Sequence, residues 1–204
     1  MSIPPSEIPM VMLAGGEGAR MGTPKGLLRI GQQPILSYLL ARVAWPGPKF
    51  LVTAPGREHP PGWEAFDQEW ADPVAGLGPL RGVLTALERV DAPLLVFATV
   101  DMPGIGGEHL AWAVAQLEQS AGRLGVMCRR ADGQIEPFPL ALRRESRRLI
   151  SERLERGSRS VHRLLDDQRF AALSVPGEWE PEVWINLNER RDLQQFVDSL
   201  AKRE

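Results

Sequence analysis

The segment from residue 10 to residue 25, Met-Val-Met-Leu-Ala-Gly-Gly-Glu-Gly-Ala-Arg-Met-Gly-Thr-Pro-Lys, constrains this chain more than any other stretch. A short, continuous apolar run of this kind is the pattern of a strand buried on both faces. It enters a glycine-rich turn that carries Arg20 and closes on Lys25. Glycines let a backbone approach a ligand closely and point bare N–H groups inward. Two nearby cations then favour a polyanion such as a triphosphate. Two familiar phosphate loops fail on spacing. A P-loop needs four residues between its first glycine and Gly-Lys-Ser/Thr, whereas Gly22 leads into Thr23-Pro24-Lys25-Gly26. The G-x-G-x-x-G fingerprint begins with Gly16-Glu17-Gly18 but meets Met21 at its third glycine. The second strand, residues 49–54, also ends without the acidic residue that would hold a ribose, which argues against hydride transfer.

Downstream, strand-like and helix-like apolar periods alternate, as in an α/β layer structure with a mainly parallel sheet. Pro34 stands at an expected first helical position, ahead of Ile35, Leu36, Leu39, Leu40 and Val43 at helical spacing. Pro79 opens a second helix with Leu80, Val83, Leu84 and Leu87 on one face. Residues 94–100 form the most strand-like run, with Asp101 at its carboxyl end. A further helix is marked by Leu110, Val114 and Leu117. Strands are expected at 125–128 and 138–142, and a terminal helix carries Leu193, Phe196, Val197 and Leu200. Ligands of open α/β sheets bind outside the carboxyl ends of strands, so the glycine loop and Asp101 are expected to share one.

A chain of 204 residues, 43% apolar and 25% charged, suits one ordinary soluble domain, taken as residues 9–204 behind a frayed leader at 1–8. A net charge of -2 offers no basic footprint for nucleic acid. The lone Cys128 rules out an internal disulfide framework and fits a reducing compartment. No run approaches the roughly 18 apolar residues of a membrane span. The proline-containing start lacks the basic and apolar regions of a signal peptide, so a cytoplasmic protein is expected.

In order and spacing the motifs resemble the molybdenum cofactor guanylyltransferases (MobA type) over nearly the whole chain. Leu13-Ala14-Gly15-Gly16, Arg20-Met21-Gly22, Lys25 and Leu27-Leu28 look like that family's opening. Asp72 with Gly76-Leu77-Gly78-Pro79-Leu80-Arg81-Gly82 is similar to its aspartate and Gly-Pro-Leu-Ala-Gly segment. Val100-Asp101-Met102-Pro103, Glu136-Pro137 and Asn186-Leu187-Asn188 with Asp192-Leu193 resemble its later elements. The resemblance implies a three-layer α/β/α, Rossmann-like fold of the glycosyltransferase-A, nucleotide-diphospho-sugar transferase type. It implies transfer of GMP from GTP to the phosphate of molybdopterin, releasing pyrophosphate, with molybdoenzyme-maturation proteins as further partners. The alternatives are CTP-dependent transfer to the same cofactor, a sugar-phosphate nucleotidyltransferase, and a non-catalytic delivery protein. The chain departs from the family pattern at Pro24, where aspartate is frequent, at Thr53-Ala54, and at Arg81, where alanine is usual.

Chemistry assigns roles within this frame. Nucleotidyl transfer rests on positioning and on stabilising charge at the phosphates, for which Lys25 and Arg20 are the candidates. Mg²⁺ is commonly held by one or two carboxylates plus substrate phosphates, so Asp101 is the expected metal ligand and Lys25, Arg20 and Asp101 the catalytic set. Leu13, Ala14, Gly15, Gly16, Lys25 and Asp101 are expected at the nucleotide, and the resemblance adds Asp72, Pro79 and Leu80. Asn186 and Asn188 alternate around Leu187, which puts both amides on one side of an expected strand, facing the acceptor. Asn188 would also serve as a helix cap. No Ser-His-Asp or Cys-His pattern is evident. His59, His109 and His162 read as surface or capping residues, and Cys128 as a small buried strand residue.

Overall fold

The alternating periods resolve into nine strands and five α-helices in a computed structural model that describes residues 2–15 and 22–201. The first strand, β1 (Met10–Leu13), is followed by a short hairpin of β2 (Arg29–Ile30) and β3 (Gln33–Pro34). Next come α1 (Ile35–Val43), β4 (Lys49–Thr53), β5 (Gln68–Ala71), α2 (Pro79–Arg89), β6 (Leu94–Thr99) and α3 (Gly107–Gln119). The remainder is β7 (Gly125–Arg129), β8 (Ile135–Arg143), α4 (Ser146–Glu155), β9 (Phe170–Ser174) and α5 (Arg190–Ala201). Seven strands form one sheet in the order β5-β4-β1-β6-β8-β7-β9. The run from β5 to β6 is parallel, β8 is antiparallel to both β6 and β7, and β9 returns parallel to β7.

This topology places the ligand crevice. The β1-α1-β4 crossover steps one way along the sheet, and β5-α2-β6 steps back past β1. Right-handed crossovers in opposite directions put α1 and α2 on opposite faces. Accordingly α2 packs on β1 and β4 with α4 beside it, while α3 packs on β6, β7 and β8 with α1 beside it. The strand order reverses at β1, and such a switch point opens a crevice at the strands' carboxyl ends. Every residue of β1 is buried, as its uninterrupted apolar run requires. The apolar stripes of α1 and α2 supply Ile35, Leu36, Leu39 and Val43 on one side and Leu80, Val83, Leu84 and Leu87 on the other, all buried.

Several details differ from the sequence reading. Pro34 is not the first helical residue; it pairs with Arg29 in the hairpin, and the helix begins at Ile35. Residues 2–8, expected to fray, are docked. Ile8 is buried, Trp45 Nε1 donates to its carbonyl at 2.7 Å, and Ser2 and Ile3 bond Glu118 of α3. Residues 186–188 are not a strand but an extended loop after a 3₁₀ turn, Pro181–Trp184. The Leu187 N–H donates to the Asp101 carbonyl at 2.7 Å, and that one bond hangs the loop on the end of β6. Among the described residues no helix is long and apolar enough to cross a membrane.

Candidate active site

The carboxyl ends of β1 and β6 open into a cavity of about 640 Å³, inside the range of roughly 300–1,000 Å³ usual for small-molecule sites. Its centre is an ammonium. Lys25 enters from a 3₁₀ turn (Lys25–Leu27) and is itself buried. Its Nζ donates to Asp101 Oδ2 at 2.7 Å and to Asn188 Oδ1 at 3.1 Å. The Asp101 side chain keeps 22% of its surface exposed, and its Oδ1 accepts from the Thr99 hydroxyl at 2.7 Å. Thr99 and Asp101 are two residues apart at the end of β6, which places both on the same side of the chain. Leu187 is buried between the exposed Asn186, which lines the cavity, and the exposed Asn188, which meets Lys25.

A second carboxylate lies across the crevice. Asp72 follows β5, where its N–H donates to the Thr53 carbonyl at 2.9 Å. Thr85 of α2 donates to Asp72 Oδ1 at 2.5 Å. Burial raises the Asp72 pKa above the usual carboxylate value, opposed by the Thr85 hydrogen bond and the Arg81 charge and reinforced by Glu88. Glu136, buried on β8, is likewise pushed up by burial against the pull of Arg130. His109 caps the start of α3, its Nδ1 accepting from the Gly106 N–H at 2.7 Å, and burial lowers its pKa. Burial drives the Cys128 thiol upward, which agrees with an inert strand residue.

Of the residues singled out from sequence, Leu13, Gly15, Lys25, Asp72, Pro79, Asp101 and Asn186 line the cavity, and Asn188 reaches it through Lys25. Ala14 does not line it; its N–H is spent on the Val52 carbonyl. Leu80 is also displaced from its expected place. It is wholly buried in the core, and Gly78, Pro79 and Gly82 form that wall instead. The positions Gly16 and Arg20 lie outside the described residues. The structure adds residues the sequence reading missed. Thr99 was detectable from its two-residue spacing to Asp101. The segment from Arg159 to His162, which also lines the cavity, sits in an arginine-rich stretch with no periodic signal. Arg81 does not line the cavity; its guanidinium bonds Thr85 and Glu88 along α2.

A mainly parallel α/β/α sheet with this cavity at its switch point is the Rossmann-like fold of the nucleotide-diphospho-sugar transferase type. The particular family follows from comparison: residues 10–172 match the MobA-like NTP transferase domain, and the chain belongs to that family. It is 28% identical to the molybdenum cofactor guanylyltransferase of Shewanella amazonensis, over 96% of this chain and 98% of that one. The crystal structure of molybdopterin-guanine dinucleotide biosynthesis protein A from Archaeoglobus fulgidus has the same fold, with a TM-score of 0.77 at 19% identity, covering 96% and 100% of the two chains. So does 2-C-methyl-D-erythritol 4-phosphate cytidylyltransferase from Thermus thermophilus, with a TM-score of 0.70 at 17% identity over 96% and 99%.

Proposed function

We propose that this chain transfers GMP from GTP to the phosphate of molybdopterin and releases pyrophosphate, as the names of its curated relatives suggest. The observation that carries the reading is the convergence of Lys25, Asp101 and Asn188 on one cavity from segments 76 and 163 residues apart. An oxygen of the acceptor phosphate attacks the α-phosphorus of GTP, and the bond from that phosphorus to the bridging oxygen of the β-phosphate breaks. The nucleophile is already an anion, so no side chain need take a proton. Lys25 offers a fixed positive charge to the phosphates as their charge redistributes. Asn188 holds that ammonium in place, and Asn186 offers an amide to the acceptor.

The donor set suits Mg²⁺. Among the described residues no group of three or more His, Cys, Asp or Glu side chains could cage a metal, and Mg²⁺ is typically bound by one or two carboxylates completed by substrate phosphates. Asp101, a partly exposed carboxylate lining the cavity, meets that description. When bound, Mg²⁺ would neutralise the phosphates and orient the triphosphate. Pyrophosphate release tests the reading, measured with GTP, CTP, ATP or UTP, each with Mg²⁺ and molybdopterin. Acceptor-dependent release with GTP, lost in Asp101→Ala while the fold is retained, is the expected result. Release with CTP instead would keep the chemistry and overturn the base. Undiminished release in Asp101→Ala would overturn the site.

A further inference from the structure

Arg81 lies one turn ahead of Thr85, the residue through which α2 bonds the cavity's second carboxylate. Arg81, Thr85 and Glu88 lie on one face of α2, spaced by about one helical turn. Arg81 Nε and Nη2 both donate to Thr85 Oγ1, at 3.2 and 3.1 Å, and Nη2 donates to Glu88 Oε2 at 2.6 Å. A guanidinium has only donors, and a threonine hydroxyl has a single proton. With its lone pairs facing Arg81, Thr85 must direct that proton to Asp72 Oδ1, 2.5 Å away. Oδ2 is the oxygen on the cavity side, near Gly15 and Gly82, where a Cβ would come within 3.9 and 3.6 Å of it.

We infer that Arg81 is a positioning residue that acts through Thr85 to hold Asp72 ionised, so that Oδ2 accepts from a donating N–H edge of the nucleotide base. The inference rests on the nucleotidyltransferase reading of this cavity. Its physical basis is a contest at one group: burial favours the protonated carboxyl, whereas the Thr85 hydrogen bond and the Arg81 charge favour the carboxylate. Without the relay the balance moves toward the protonated carboxyl, and a proton on Oδ2 would turn it from acceptor to donor, facing a base edge that also donates. Glu88 opposes ionisation directly while anchoring the guanidinium that supports it. Among the described residues the other ionisable groups lining the cavity are Lys25, Asp101, Arg159 and His162. On β5, Glu69 is held by Thr53 and His59.

The test follows the Asp72 carboxyl by ¹³C NMR titration, with GTP kinetics across pH, in wild type, Arg81→Ala, Thr85→Val, the double variant and Arg81→Lys. The expected result is an upward-shifted Asp72 midpoint in both single variants and a KM for GTP raised about tenfold, the size of one charged hydrogen bond, with kcat little changed. As pH falls, the rise in KM should begin at higher pH in the variants than in wild type. The double variant should lose less than the sum of the two single variants, since part of what Arg81 does passes through that hydroxyl. Arg81→Lys should restore most of the loss. The variants should also lose preference for GTP over inosine triphosphate, which lacks the exocyclic amine. An unmoved Asp72 midpoint, or fully additive losses in the double variant, would overturn the relay. A preference for GTP kept at the wild-type ratio would overturn the assignment of Oδ2 to the base. If wild type fails to turn over GTP, the functional reading falls, while the carboxyl titration still decides the relay.

Discussion

At the scale of single residues, the decisive group is the Lys25 ammonium, which meets Asp101 at 2.7 Å and Asn188 at 3.1 Å. That arrangement pre-orients a cation at the cavity and removes most of its rotamer freedom before phosphates arrive, which is how a charge contributes to a transition state without reorganising. Lys25→Met is therefore expected to lower kcat by about 10²–10³, the usual effect of deleting one preorganised donor. Asp101 retains Thr99 and partial solvent exposure, so thermal unfolding should change little by comparison. Single-turnover kinetics beside a melting curve checks both; equal losses in the two would make Lys25 a structural residue. The charge carriers of this site were legible in the sequence because a cation after a glycine-rich loop and an acid after an apolar strand have few structural reasons to be there. The supports were not. Thr85 looks like any helix threonine, and no helical or strand period links it to Asp72, 13 positions earlier at the end of β5.

At the scale of elements, α2 shows how a wall of the cavity is made. Its N-cap, Gly78, has φ 72° and ψ 179°, a region open essentially to glycine alone. A Cβ there would also lie 2.7 Å from the Arg159 carbonyl. The loop from Arg159 to His162 can close on the helix start only because that side chain is missing. Gly78→Ala should therefore cost about 1–3 kcal/mol from backbone strain and push the Arg159 segment outward, seen as a lower urea midpoint with a higher KM for GTP. A variant with wild-type values in both would show that the contact is dispensable. Elements with an apolar stripe or a continuous apolar run were readable in advance: β1, α1, β4, α2, β6, α3, β7, β8 and α5. Those without one were missed. Helix α4 buries only Ser146 and Ile150, and β5 buries none of its four residues, so neither displays a period. The stretch Ile185-Asn186-Leu187-Asn188 errs the other way. Its alternation resembles a strand, yet Leu187 plugs into the core as part of a loop with no neighbouring strand to pair with.

At the scale of the whole molecule, stability and chemistry are separated along the axis of β1. The cavity opens at its carboxyl end, whereas residues 2–8 close its amino end. Ile8 is 1% exposed, its carbonyl accepts from Trp45 Nε1, and Ser2 and Ile3 tie the start of the chain to Glu118 at 2.6 and 2.7 Å. Gly47 leaves room for the passage, since a Cβ at that position would stand 2.7 Å from the Pro5 carbonyl. A sequence reading sees prolines and two isolated isoleucines here, because the partners, Trp45 and α3, are distant in the chain. The four residues of β1 separate this plug from the cavity by roughly 13 Å at the ordinary strand rise. Ile8→Ala is thus expected to destabilise the protein by about 2–5 kcal/mol, as other large-to-small core substitutions do, and to lower Tm by roughly 4–20 °C. At a temperature where the variant is still folded, its KM for GTP and its kcat should equal those of wild type. A changed KM at full folding would mean that the amino end of β1 communicates with the cavity, and that the two ends of the strand are one cooperative unit.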